Sequence, residues 1–268
     1  MGLDEDIALR ALGNGAYEGA IDEQWWTPRG PLGGYVMALM QRAIVLSVDD
    51  EARQPRSLTV SFLRPPQAGP FTVTALIERS GRSLTTASAC LEQDGKPLAL
   101  GLATLSTPWS GPLLANAPMP DVEPPGDRSA PPNPPPGAPR VPFRELVTMQ
   151  KRFGPDLFSG ADEALAGGWL GLREERPVDA LTILILADAW FPAPWPRLPD
   201  FAPAPTVEMS VYFRAPLPVP DSLLLGRFES RLTRDGFFDE SGELWAPDGT
   251  LVAQSRQLGL LLGAGAAG

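Results

Sequence analysis

Three polar residues of the C-terminal half, Asp188, Thr206 and Gln257, stand in otherwise apolar surroundings and together offer a carboxylate, a hydroxyl and an amide. Such a set can hold and deprotonate a water, the carboxylate acting as general base while the neutral groups orient it. Asp188 closes the run Leu181-Thr-Ile-Leu-Ile-Leu-Ala187. If that run is a buried helix, the carboxylate lies near the helix end, where burial raises its pKa; otherwise it is a helix-end acid turned to solvent or tying down a loop. Thr206 follows Phe201-Ala-Pro-Ala-Pro205 and begins a strand-like stretch. Its hydroxyl can bond a water or a neighbouring side chain there, although β-propensity alone also places threonine at strand starts. Around Gln257, strand alternation sets Ala253, Ser255 and Gln257 on one face and Val252, Gln254, Arg256 and Leu258 on the other. The small residues leave room for a ligand that the amide can reach; an ordinary surface glutamine is the alternative.

Other chemistry is narrowed by what the chain lacks. It contains no histidine, so Ser-His-Asp and Cys-His hydrolysis, Asp-His hydration and most catalytic zinc sites cannot be built within it. Its single cysteine, Cys90, lies in a strand-like stretch and reads as a packing residue, with no internal disulfide available to it. Gly33 and Gly34 open a helix, where bare backbone amides can approach a carbonyl or phosphate oxygen as part of an oxyanion hole. Tight packing of the helix against a sheet explains them equally well. Arg64 and Arg82 are candidates for phosphate contacts, against the alternative of solvated or structural arginines. A net charge of −10 argues against nucleic acid as a partner. The preference for arginine over lysine suits phosphate binding, but a GC-rich genome produces the same bias.

These residues need elements to position them, and the same elements occur twice. The first half has an apolar helix, Val36-Met-Ala-Leu-Met-Gln-Arg-Ala-Ile-Val45, followed by strand-like runs at 57–65, 71–78, 81–93 and 98–105. The second half has the helix-like run Ala180-Leu-Thr-Ile-Leu-Ile-Leu-Ala-Asp-Ala-Trp190, followed by runs at 206–216, 223–234, 236–245 and 251–262. Thr-Val-Ser-Phe-Leu-Arg-Pro at 59–65 matches Ser-Val-Tyr-Phe-Arg-Ala-Pro at 210–216, an offset of 216 − 65 = 151. Asp94-Gly95 and Asp248-Gly249, both hairpin turn pairs, repeat at 248 − 94 = 154. Between the halves, residues 117–142 are too rich in proline to hold a helix or an interior strand and read as an extended linker. The expected domains are therefore 1–116, the linker at 117–142, and 143–268. A long apolar helix followed by consecutive antiparallel strands calls for an α+β hotdog arrangement, here a double one: two antiparallel sheets, each wrapped around a long apolar helix.

The order of several motifs carries a family resemblance. Trp26-Thr-Pro-Arg-Gly-Pro-Leu-Gly-Gly-Tyr-Val36, Ser57-Leu-Thr-Val-Ser-Phe-Leu-Arg-Pro65, Gly81-Arg-Ser-Leu84 and Gln93-Asp-Gly-Lys-Pro97 resemble the first half of the double-hotdog acyl-CoA thioesterases of the bacterial thioesterase II type. After the linker, Leu186-Ala-Asp188, Thr206-Val-Glu-Met-Ser-Val-Tyr-Phe213 and Leu251-Val-Ala-Gln-Ser-Arg-Gln257 resemble that family's Asp-, Thr- and Gln-bearing segments. The resemblance implies hydrolysis of an acyl-CoA by a water that Asp188 activates and Thr206 and Gln257 orient, with no covalent acyl-enzyme and no metal or redox cofactor. Thr59 and Met209 stand where the family often has histidine, and Glu208 where aspartate is frequent.

A non-catalytic acyl-CoA-binding hotdog protein is the alternative; a hotdog dehydratase would need a histidine. By subtraction of the two offsets, Pro55 and Ala103 of the first half stand opposite Thr206 and Gln257, so only the second half supplies the polar set. The acidic start of the chain and the absence of an apolar run of about 18 residues lead to the expectation of a cytoplasmic protein without a membrane partner. A homodimer is expected from the habit of hotdog sheets to pair.

Overall fold

A computed structural model describes residues 2–128 and 141–263. In chain order the elements are α1 (Leu3–Asp6), β1 (Arg10–Gly13), β2 (Ala16–Ile21), β3 (Trp26–Thr27), β4 (Gly30–Pro31), α2 (Gly33–Val48), β5 (Gln54–Phe62), β6 (Gly69–Ser80), β7 (Leu84–Gln93) and β8 (Lys96–Ser106). The second half contributes β9 (Val147–Phe153), β10 (Leu165–Leu172), α3 (Ala180–Asp188), β11 (Thr206–Phe213), β12 (Leu224–Glu229), β13 (Thr233–Arg234), β14 (Phe237–Trp245) and β15 (Leu251–Leu260).

Among the described residues, thirteen strands join in one antiparallel sheet, ordered β1-β2-β6-β7-β8-β5-β11-β15-β14-β12-β10-β9 with β13 beside β14. Two antiparallel sheets, each wrapped around a long apolar helix, were expected; the structure corrects this in two respects. First, the halves fuse through β5 and β11. Leu58 and Val60 pair with Val211 and Met209 and are buried, while Thr59 and Ser210 face outward with their hydroxyls 2.8 Å apart. Thr59 and Ser210 are the same position of the two repeats, so antiparallel pairing sets each directly opposite its counterpart, as at a two-fold axis. Second, the helix of the second half is short. It stops at Asp188 rather than Trp190, because Pro192 disfavours helical geometry at Phe191 and Pro194 and Pro196 follow closely.

The helices pack on the sheet and on each other. α2, longer at both ends than its periodicity predicts, packs on β5–β8, α3 on β10, β11, β14 and β15, and each helix on the other. Residues 181–187 of α3 are all buried, consistent with a run that has no polar face. The Asp179 side chain caps α3 by accepting from the Thr182 amide at 2.8 Å.

Two hairpins have no counterpart among the strands expected from sequence. β1 and β2 turn at Asn14-Gly15, both at positive φ, a strong hairpin pair. β10, Leu-Ala-Gly-Gly-Trp-Leu-Gly-Leu, looks like a loop by composition, yet it is a sheet strand with an irregularity at Gly167/Gly168 where it meets β9. A Cβ on Gly168 would overlap the Gln150 carbonyl oxygen, so the glycine is a requirement of close strand approach. Of the expected linker, residues 117–128 hold neither helix nor strand and are pinned to the second half: Trp245 Nε1 donates to the Ala117 carbonyl and Trp169 Nε1 to that of Glu123. Residues 129–140 lie outside the described part.

Candidate active site

One cavity of about 400 Å³ lies where the N-terminus of α2, the C-terminus of α3 and the ends of β11, β14 and β15 converge. Asp188, Thr206 and Gln257 all line it, as do Gly33 and Arg64.

Asp188 is placed by the crossing of the two helices. Its Oδ2 accepts the Gly34 amide at 2.8 Å, and the Gly33 amide bonds the same carboxylate. A carboxylate at a helix N-terminus is favoured by the free amides and by the helix dipole. Burial outweighs this help and pushes the acid up to about 6, the two glycine amides holding it from rising further. The group is therefore ionised near neutrality but more basic than a solvated aspartate.

The glycine amides expected to face substrate are thus already engaged by Asp188, while Gly33 still lines the cavity. Their size matters as well. A Cβ on Gly34 would lie 2.9 Å from Ile185 Cα and 3.0 Å from Asp188 Cβ and would overlap the Leu184 carbonyl oxygen. At Gly34 the close contact is between helix and helix, not between helix and sheet.

Thr206 is the first residue of β11, and the chain before it is fixed by the Pro203 and Pro205 carbonyls, which accept from the Leu262 and Leu260 amides. Gln257 Nε2 donates to Thr206 Oγ1 at 2.8 Å. With its lone pair engaged in this way, the threonine hydroxyl keeps its own proton for a water or a carbonyl oxygen. Gln257 is buried and lines the cavity.

Arg64 sits on the exposed rim, where its Nη1 donates to the Pro97 carbonyl at 2.8 Å. Arg82 does not belong with the others. It is exposed in the β6–β7 turn, and its carbonyl accepts from Arg53, which precedes β5; Phe62 reaches the cavity from the far end of that strand.

Several lining residues were not expected from sequence. Glu240, on β14, pairs directly with Gln257 on β15, is buried, and accepts the Ala193 amide at 2.6 Å. Burial chiefly, and the charge of Asp188 to a lesser degree, push it up to about 8 against the pull of the Ala193 amide. Near neutrality the pair therefore carries one negative charge, on Asp188. The alternation of Phe238, Glu240, Gly242 and Leu244 on the inward face of β14 is the signal that could have found it. The proline-rich segment after α3 supplies an aromatic wall in which Trp195 packs against Phe158, Phe191 and Phe201. Arg144 enters from the short turn Pro142–Glu145.

A raised carboxylate and a bonded hydroxyl–amide pair thus line one cavity, beside an apolar wall. Comparison with known proteins gives the family. Residues 22–106 match the model of the acyl-CoA thioesterase N-terminal domain and residues 120–261 that of the acyl-CoA thioesterase C-terminal domain. An uncharacterized protein of Mycobacterium tuberculosis is 28% identical, the match covering 95% of this chain and 96% of that one. A hot dog fold protein of unknown function from Alicyclobacillus acidocaldarius superposes with a TM-score of 0.86 at 28% identity, with 97% of each chain covered. A putative thioesterase II from Thermobifida fusca gives 0.78 at 26% identity, again with 97% of each covered.

Proposed function

We propose, since this chain belongs to the acyl-CoA thioesterase family and is a thioester hydrolase, that it hydrolyses acyl-CoA with a water activated by Asp188 and oriented by Thr206 and Gln257. In this reading its two halves are hotdog units fused along β5 and β11. The observation that carries the proposal is that Asp188 and the bonded Thr206–Gln257 pair line the same cavity, from elements of one half, while Gly33 and Gly34 of the other half anchor the carboxylate.

Asp188 takes a proton from the water as its oxygen bonds to the thioester carbonyl carbon. The neutral Thr206 and Gln257 hold that water without adding charge. When the carbon–sulfur bond breaks, the proton on Asp188 passes to the departing thiolate, leaving a free acid and CoA. Protonated Glu240 keeps a second negative charge away from the carbonyl oxygen as it becomes anionic.

The test is a panel of acyl-CoAs assayed by trapping the released thiol. Wild-type protein is expected to turn over at least one class. Asp188→Asn, which preserves shape and removes the base, is expected to lose about 100-fold to 10,000-fold in kcat while still unfolding cooperatively. Full activity in Asp188→Asn overturns the assignment. Tight binding of acyl-CoA with no thiol released by the wild type would instead select a non-catalytic acyl-CoA-binding protein.

A further inference from the structure

Arg144 is a cation set into the wall of the cavity, and among the described residues no carboxylate balances it. Its guanidinium carbon stands 3.6 Å from the centroid of the Phe191 ring and 4.9 Å from that of Phe143. One terminal nitrogen lies 2.6 Å from Met149 Sδ, a weak acceptor. Among the described residues no acid forms an ion pair with it, whereas Arg53, Arg128 and Arg176, also largely buried, each meet an aspartate. Stacking on two aromatic rings returns about 0.5–2 kcal/mol, less than the cost of taking a guanidinium out of water. Among the described residues its Nε and Nη2 make no hydrogen bond, and the residue lines the cavity.

We propose that Arg144 receives a carboxylate carried on the acyl chain of the substrate, so that the protein prefers CoA esters of dicarboxylic acids over neutral esters of equal length. This rests on the thioesterase reading given above and names its substrate class. The planar fork of an arginine matches a carboxylate through two parallel hydrogen bonds. Phosphates of CoA have other partners available, since Arg29 and Arg64 are exposed on the rim of the same cavity, while Arg144 is enclosed by aromatic rings. Burial lowers the Arg144 proton affinity, to about 9, so the guanidinium stays charged at neutral pH. Arg144 and Asp188 line the same cavity, so one acyl chain can present a carboxylate to the first and its thioester to the second.

Thioether analogues test this by binding alone, because they carry no thioester to cleave. An ω-carboxyalkyl-CoA is compared with the alkyl-CoA of equal length by calorimetry. The wild type is expected to bind the carboxylated analogue at least about tenfold more tightly, Arg144→Gln to erase that ratio, and Arg144→Lys to restore part of it. The same pair built on pantetheine, which lacks the nucleotide phosphates, is expected to keep the ratio. Equal affinity of the wild type for both analogues overturns the proposal. So does a loss in Arg144→Gln that is equal for both analogues and disappears on pantetheine, since that assigns Arg144 to a CoA phosphate. These outcomes stand whatever the acyl-CoA panel shows about hydrolysis.

Discussion

The amide nitrogen of Gly34 lies 2.8 Å from Asp188 Oδ2, and the two residues come from opposite halves of the chain, 154 positions apart. The candidate base of one repeat is therefore held by the helix start of the other. Gly34→Ala is expected to force the helices apart, because the new methyl meets the backbone at Leu184 and Ile185 and not a flexible side chain. Destabilisation of about 1–3 kcal/mol in urea unfolding is expected, with a loss of about 100-fold in kcat as the carboxylate shifts. At Gly33 the methyl would meet Asp188 Oδ2 at 3.0 Å and the Phe62 ring edge at 3.1 Å, side-chain atoms that can yield. Gly33→Ala is accordingly expected to be the milder variant. Wild-type stability and rate in Gly34→Ala would show that the close approach is dispensable.

Thr206 and Gln257 act on one water only if their own hydrogen bond fixes both. Removing either should then do most of the damage. Thr206→Ala and Gln257→Ala are each expected to lower kcat by about 10-fold to 100-fold, and the double variant to be little worse than the worse single one. Thr206→Ser keeps the hydroxyl and is expected to stay within a few-fold of wild type. Losses that multiply in the double variant would mean that the two side chains serve separate purposes.

How much of this was legible in the chain depended on whether a residue's surroundings are set locally. The apolar run at 181–187 can only be a buried segment, whereas alternation groups Gln257 with Ala253 and Ser255 on one face without saying whether that face is buried. The match between 59–65 and 210–216 even marked the seam at which the halves join, although not that the repeats pair there. Glu240 was hidden for a different reason. Asp239-Glu240 looks like a solvated acidic strand until β14 is set beside β15, which puts Glu240 against Gln257. Arg144 follows a proline-rich stretch without periodicity, and its aromatic partner Phe191 lies 47 positions away (191 − 144), so no local pattern connects them. Gly33 and Gly34 were recognisable as a place where backbone approaches closely, but their neighbour proved to be a carboxylate of the protein and not a substrate.

Glu240 ties pH to both stability and rate. An unfolded chain releases this proton near the ordinary value of 4.5, whereas the folded protein holds it up to about 8; Asp188 behaves likewise between 3.8 and about 6. Across that interval the native state binds more protons than the unfolded one, so stability falls as pH rises from about 4 and levels off above about 8. Glu240→Gln keeps an acceptor for the Ala193 amide and cannot ionise. Relative to wild type it is expected to gain stability as pH is raised through this window, by on the order of 4 kcal/mol in total, measured by urea unfolding at a series of pH values. The rate has two limbs with separate origins. kcat/KM should rise with pH as Asp188 ionises near 6, and fall above about 8 as a second charge on Glu240 opposes the developing oxyanion. Glu240→Gln is expected to keep the acid limb and lose the alkaline one. An alkaline limb that survives in Glu240→Gln would assign it to another group, and a stability difference flat in pH would show that Glu240 is not held protonated by the fold.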